Sequence, residues 1–301
     1  MRLMRVALLV LWAAFPLSFV VAVHAQQGGR GGAGNQPQAG PPPLLVKVKD
    51  DLYVVQNQQN NGAEIQAYGG NASIFLTDDG VILVDSKSDR EHDDLIAKVK
   101  SLTDKPIKYV ILTHNHGDHS AGAAKLRAMG ATIIISAADR DNMARTNQAF
   151  IPDFGYMGRA ELTLGGKRLE LYQFRGHTRG DTVVYFPADH VAALGDLLTT
   201  ADTIPMIVNY PDGGSWMDWS SSIDQVLNLD FETAIPGHGP MVSKARVGEL
   251  RDRMVTIRER VRALSREKKS QEEITETVVK EFNWGFGGSA GNIAGMMQEL
   301  R

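Results

Sequence analysis

Four residues within one hexad, His114, His116, Asp118 and His119, bring more nitrogen and oxygen donors together than a folded chain can bury without a partner. An unpaired carboxylate is costly to remove from water, and a metal ion removes that penalty. His114 and His116 stand two apart, so extended backbone puts both rings on one side. Asp118 and His119 come where the chain turns into a helix and can face a second point nearby. Imidazole nitrogen and carboxylate oxygen without thiolate suit zinc, and also iron or manganese. Three further candidates, His177, Asp196 and His238, each follow a predicted strand, and each is preceded directly by glycine (Gly176, Gly195, Gly237). Glycine permits unusual backbone angles and close approach at a crowded place. The other histidines are assigned no chemistry: His24 lies in the N-terminal apolar run, His92 opens an exposed helix and His190 sits at a hairpin.

The elements that must position these residues can be read from periodicity. Tyr109 to Leu112 is a short β-branched apolar run, a buried strand, and Ala121 to Met129 is helical, so the hexad occupies a strand-to-helix junction. Upstream, Leu44 to Val55 reads as a hairpin turning at Asp50-Asp51, and Ala72 to Thr77 with Val81 to Val84 repeats it around Asp78-Asp79-Gly80. Asp85 closes that strand, and Asp89 to Leu102 is a helix with Leu95, Ile96, Val99 and Leu102 on one face. Thr132 to Ile135 is a strand. Arg140 to Met157 is less regular, and its Phe150, Phe154, Tyr156 and Met157 are expected to pack in the core rather than line a pocket.

Strands recur at Leu162 to Leu164, Leu169 to Phe174, Thr182 to Phe186 and Val191 to Leu194, then a helix over Ser215 to Leu229, a short strand at Thr233 to Ile235 and a long helix over Ser243 to Arg266. Strands followed by helix thus occur twice, which predicts two similar halves packed sheet to sheet with helices outside. Gln271 to Phe282 is a short amphipathic helix that caps the domain or joins a partner. Gly285 to Gly295 is expected to be loose, with a last helical turn over Ile293 to Leu300. The stretch Ile204 to Trp219 carries Asn209, Tyr210, Trp216 and Trp219; it reads equally as the wall of an apolar substrate pocket or as a helix approach packed on the core.

Composition bounds the class. The 301 residues are 43% apolar, with a net charge of -3 and no cysteine, which fits a globular protein without disulfides or a thiol nucleophile. Arg2 and Arg5 precede an apolar run, Val6 to Val23, that ends at Val23-His24-Ala25. This is the order of a signal peptide cleaved after Ala25, for a periplasmic or secreted protein, with an uncleaved anchor as the alternative. No membrane span is expected once residues 1–25 are removed. Cleavage takes away two arginines and no acid; the mildly acidic remainder argues against nucleic acid as a partner and leaves a small-molecule substrate. Residues 26–43 (QQGGRGGAGNQPQAGPPP) offer little that could pack and read as a disordered linker, so the folded domain is 44–301.

The motifs H-N-H-G-D-H at 114–119, G-H-T-R-G-D at 176–181, G-D at 195–196 and P-G-H-G at 236–239 resemble those of the metallo-β-lactamase-fold hydrolase superfamily, in order, from Leu44 to about Met241. The resemblance implies an α+β fold, the αβ/βα four-layer sandwich, with two divalent metal ions at one edge, zinc first and iron or manganese as alternatives. It implies that His114, His116 and His177 hold one ion, Asp118, His119 and His238 the other, and that Asp196 bridges them, as in the glyoxalase II-like and lactonase-like branches. The zinc β-lactamases as a rule lack that aspartate. Asp85, at a strand end where the family often carries an acid, resembles a residue orienting a metal-bound imidazole. Two ions sharing a water would lower its pKa towards neutrality, with Asp118 orienting the hydroxide for attack on an ester, lactone, thioester or β-lactam-type carbonyl. The alternatives on this scaffold are an iron-dependent redox enzyme, either persulfide dioxygenase-like with one iron or flavodiiron-like with two, a β-lactamase proper, a nucleic-acid hydrolase, and a metal-binding protein without turnover.

Overall fold

The computed structural model describes residues 40–58, 62–200, 207–284 and 289–301. The expected signal peptide, His24 and all but the end of the 26–43 linker lie outside them, as do residues 204–206 and 285–288. The first half of the chain runs β1 (Leu44–Lys47), β2 (Leu52–Gln56), α1 (Gly62–Tyr68), β3 (Ala72–Leu76), β4 (Val81–Val84), α2 (His92–Leu102), β5 (Ile107–Ile111), α3 (Gly117–Ser120), α4 (Ala123–Ala128), β6 (Thr132–Ser136), α5 (Ala137–Arg145) and β7 (Phe154–Tyr156). Its seven strands form one sheet in sequence order, antiparallel from β1 to β4 and parallel from β4 to β7. The second half runs β8 (Arg159–Leu164), β9 (Lys167–Phe174), β10 (Asp181–Phe186), β11 (Val191–Gly195), α6 (Trp216–Leu227), β12 (Thr233–Pro236), β13 (Val242–Ser243), α7 (Lys244–Arg266), α8 (Gln271–Phe282) and α9 (Ser289–Glu299). Its sheet has the order β13-β12-β11-β10-β9-β8, with only β11 and β12 parallel.

Alternation along the strands sorts their side chains into three apolar layers. In β4, Ile82 and Val84 enter the layer between the sheets, where they meet residues such as Leu171, Val184 and Phe186, while Val81 and Leu83 pack towards Leu95, Val99 and Leu126 of the first helical layer. In β10, Val184 and Phe186 face inward and Val183 and Tyr185 face a second helical layer built from α6 to α9. Strands buried on both faces explain the unbroken apolar runs of the sequence. The result is the α+β, four-layer αβ/βα sandwich.

Three expectations need correction. Arg140 to Met157 contains the end of a helix, α5, whose N-cap is the Ser136 side chain accepting from Asp139 N–H. Met143 is its only large buried apolar side chain, so no stripe announced it. Of the four residues expected to pack there, Tyr156 is buried, Phe150 is half-buried, and Phe154 and Met157 are exposed. The tail is helical from Ser289 despite Gly291 and Gly295, because burial of Ile293 and Met296 in the second helical layer outweighs weak local propensity. His92 begins α2 but is buried rather than exposed.

Candidate metal centre

The hexad leaves the C-terminal end of β5, between the parallel strands β4 and β6. Thr113 N–H and Oγ1–H donate to the two oxygens of Asp85, at 2.7 and 2.8 Å, and His119 Nδ1 lies 2.8 Å from Asp85 Oδ2. One carboxylate at the end of β4 therefore ties the start of the motif to its last ring. His116 is the extended residue before α3, and its ring centroid lies 4.7 Å from that of His114.

The second sheet supplies the remaining donors from the ends of its strands. His177 follows β9; its N–H donates to Asp181 Oδ2 at 2.8 Å. Thr178 Oγ1 lies 2.6 Å from Asp181 Oδ1 and 2.8 Å from Asp139 Oδ2. One hydroxyl carries one proton, so it can donate to one carboxylate and accept only from a protonated second. Burial, reinforced by the Asp139 charge, raises the Asp181 carboxyl well above the usual range, and burial pushes Asp139 up to about 7. Asp196 begins a turn after β11, reached through Gly195 at φ 54°, where a side chain would also run into Thr113. His238 follows β12, and a Cβ on Gly237 would lie 1.7 Å from Asp196 Oδ1.

All seven predicted donors converge. His177 Nε2 lies 2.8 Å from His116 Nδ1, and the free donor atoms of His114, His116 and His177 fall within 4.8 Å of one another. So do those of Asp118, His119 and His238, with His119 Nε2 and His238 Nε2 3.2 Å apart and His238 Nε2 3.3 Å from Asp118 Oδ2. Asp196 stands between the trios, Oδ2 3.7 Å from His177 Nε2 and Oδ1 3.3 Å from His119 Nε2 and 3.6 Å from His238 Nε2.

The hydrogen bonds on the outer edges of the rings show what the inner edges can bind. His177 Nδ1–H donates to the Ile207 carbonyl, His116 Nε2–H is 3.1 Å from Asp212 Oδ2 and His119 Nδ1–H serves Asp85. With those outer protons in place the inner nitrogens of His177 and His116 face each other at 2.8 Å, a contact that a shared cation or a second proton on His116 satisfies. His114 Nε2 and Asp196 Oδ1 are buried with no hydrogen-bond partner among the described residues. Five imidazoles and two carboxylates without thiolate fit two borderline or hard divalent ions such as zinc, iron or manganese. Without such ions the charges fall on the rings themselves: burial holds His177 down, to about 4, and His114 well below its ordinary value, whereas Asp118, Asp196 and Asp85 outweigh burial and hold His119 well above.

Asp212, not singled out from the sequence, receives His116, Asn115 Nδ2 at 3.1 Å and Arg145 at 2.6 Å. Its only signal was the Pro211-Asp212-Gly213 turn. Of the three proposed pocket residues, Asn209 is at the site, with Nδ2 2.7 Å from His116 Nε2. Tyr210 packs partly buried against the second helical layer. Trp216 is not a pocket residue: it is buried in that layer, its Nε1–H donating to Asn292 at 3.1 Å, because it opens α6 on the helix's apolar face. Trp219 is buried beside it. His190 lies away on a hairpin, beside the Asp230 carbonyl. Only His116 and Asp118 among the seven keep about a quarter of their side chain exposed, 24% and 27%, so the cluster opens to solvent over them.

Comparison with known proteins agrees with this geometry. The Metallo-beta-lactamase type 2 of Elizabethkingia meningoseptica is 26% identical over 217 residues, 67% of this chain and 80% of that protein. The Hydroxyacylglutathione hydrolase of Acidiphilium cryptum is 34% identical over 142 residues, 46% of this chain and 54% of that one. The solved structure of a Metallo-beta-lactamase from Pontibacter korlensis superposes with a TM-score of 0.63 at 19% identity, covering 71% of this chain and 99% of the other. The family model of the Metallo-beta-lactamase superfamily matches residues 65–238, from α1 to the last histidine of the cluster, and the chain belongs to that superfamily.

Proposed function

We propose that the protein is a metal-dependent hydrolase that holds two divalent ions, zinc first, and cleaves an ester, lactone, thioester or β-lactam-type bond. The observation that carries this reading is the convergence of seven donors into two trios with Asp196 between them. Two bound ions would supply positive charge for a developing oxyanion and acidify a water molecule. The chain's own residues do the rest. His116 and Asp118 present their edges to solvent while the other donors are buried, which fixes the side of approach. Asp118 faces His238 through Oδ2, and its carboxylate stands at the mouth of the site where it can orient an attacking water or hydroxide by accepting its hydrogen bond. Burial raises that carboxyl, but the charges of His119 and His238 and the His238 hydrogen bond hold it well below the usual range, so it is ionised at neutral pH. Asn209, whose Nδ2 lies 2.7 Å from His116 Nε2, places its amide beside the site with N–H groups to offer a substrate oxygen. The filled second trio disfavours a single-iron oxygenase. The order of charge, apolar run and small residues at 1–25 supports export of the mature chain.

The test joins metal analysis of the purified protein to a panel of a chromogenic ester, a lactone, a thioester and a cephalosporin. Close to two equivalents of zinc, turnover of at least one substrate and loss of that turnover in His116→Ala are expected. An iron-loaded protein inert on the whole panel, or His116→Ala with full metal content and full rate, would sink the proposal.

A further inference from the structure

The segment that closes the outer side of the histidine trio, residues 207–209, belongs to neither a strand nor a helix, so its backbone groups need partners elsewhere. Ile207 N–H reaches Thr199 Oγ1 at 3.3 Å, and Asn209 N–H donates to the His177 carbonyl at 2.8 Å. Between them the buried Val208 N–H donates at 2.7 Å to Oδ1 of Asn292, a residue of α9 that is itself only 5% exposed. The same oxygen accepts from Trp216 Nε1, so both lone pairs are used. This short segment carries two of the groups that touch the trio from outside: the Ile207 carbonyl, which receives His177 Nδ1–H, and the Asn209 side chain, which lies against His116. The helix supplying Asn292 is docked there along one face. A Cβ on Gly295 would enter the Tyr210 ring, and Glu299 Oε2 accepts from Met217 N–H at 3.1 Å. Spacings of three and four residues put Asn292, Gly295 and Glu299 on that single face.

We propose that Asn292, far beyond the region shared with the superfamily, is a positioning residue for the first metal trio: it anchors Val208 and so aims the Ile207 carbonyl at His177 and holds Asn209 against His116. The inference rests on reading the trio as a metal site, but its first readout does not. Without the Asn292 oxygen, Val208 N–H is left unpaired in the interior and the segment must turn to find another acceptor, carrying the Ile207 carbonyl with it.

The imidazole N–H of His177, donating to a buried carbonyl, is followed by nitrogen-edited NMR on the full chain, with and without zinc. Asn292→Leu, close in volume, is expected to shift or lose that signal, and Asn292→Asp, which keeps the acceptor oxygens, to retain it. Trp216→Phe removes the other donor to the same oxygen and is expected to leave the signal in place. Chelator competition with zinc alone as probe should then show one of the two equivalents weakened about tenfold in Asn292→Leu and not in Asn292→Asp. Asn292→Ala serves if the leucine variant does not fold. An unchanged His177 signal in whichever variant folds, or the same loss in Trp216→Phe, overturns the inference. A wild-type chain that binds no zinc yet shows the expected His177 changes overturns the metal reading instead.

Discussion

Asp85 carries three donors on two oxygens at a backbone φ of 66°, a left-handed conformation that aspartate tolerates better than most side chains. Only an acceptor-only side chain satisfies Thr113 N–H, Thr113 Oγ1–H and His119 Nδ1–H at once. Asp85→Asn keeps the shape but turns one acceptor into a donor. Zinc affinity of the Asp118-His119-His238 trio is expected to fall about 10- to 100-fold, read by chelator competition, and an unchanged affinity would show that His119 is oriented by other means. Lys87, two residues on, is also left-handed, with φ 58°, and fully buried, its Nζ donating to Gly70 O at 2.6 Å and Asn57 Oδ1 at 3.2 Å. Burial pushes its ammonium down to about 8 from the ordinary 10.5. Below about 8 folded and unfolded chains both hold the proton and the stability does not change with pH through this group. Between there and 10.5 the unfolded chain binds more protons, so stability rises with pH, by at most about 3 kcal/mol. Urea unfolding at pH 8 and pH 10 should therefore show wild type gaining on Lys87→Met as pH rises; a constant gap between them would rule out the depressed lysine. The candidate donors were legible because their types and spacing are unusual in themselves. Asp212 and Lys87 were not, because what makes each special is a partner from a distant segment: His116 for one, Asn57 and Gly70 for the other.

Elements act on the site through where they end. Gly237 follows β12, donates to Leu198 O at 3.0 Å and accepts from Asn71 N–H at 2.7 Å, which leaves its backbone no room to move away from Asp196. Gly237→Ala is expected to displace Asp196 and lower kcat/KM on whichever panel substrate is turned over by about 100-fold, since a shift of about 1 Å can cost that much. Gly248 is the control, because it lies inside α7 and an added Cβ there meets nothing within 4 Å. Gly248→Ala should raise stability in urea by about 1 kcal/mol with activity intact. Activity intact in Gly237→Ala would remove close approach as the reason for that glycine. Strands were the legible elements: β3, β4, β9 and β10 are runs of apolar or alternating residues between turn signals, and each lies within a residue or two of its expected place. Helix α5 was not legible, and of α9 only the end from Ile293 was expected. One is defined by a cap at Ser136 rather than by an apolar stripe, and the other by tertiary burial that overrules its glycines.

At the scale of the molecule, the superfamily match stops at residue 238 while the second helical layer continues through Val247, Leu250, Met254, Ile257, Val261, Leu264, Ile274 and Val278 to Ile293 and Met296. The chain after the last histidine therefore has two separable duties. Most of it covers the outer face of the second sheet, where β10 and β11 contribute Val183, Tyr185, Ala192 and Leu194. One face of α9 reaches instead to the segment beside His177. Leu250 belongs to the first duty: it is 0% exposed in α7 and packs in the layer with Trp219 and Ile223. Leu250→Ala removes buried methyl groups and leaves a cavity that the surrounding helices fill only in part, a loss of about 2–5 kcal/mol. Because the donors sit at strand ends and not in this layer, the loss is expected in the urea midpoint with the slope preserved. Below the unfolding transition the zinc content and kcat/KM should match wild type. Asn292→Leu should give the reverse pattern, a weakened zinc equivalent out of proportion to any fall in midpoint. If Leu250→Ala loses zinc in step with stability, the helical layer and the metal centre form one cooperative unit, and the division of the C-terminal helices into a cover and an anchor is wrong.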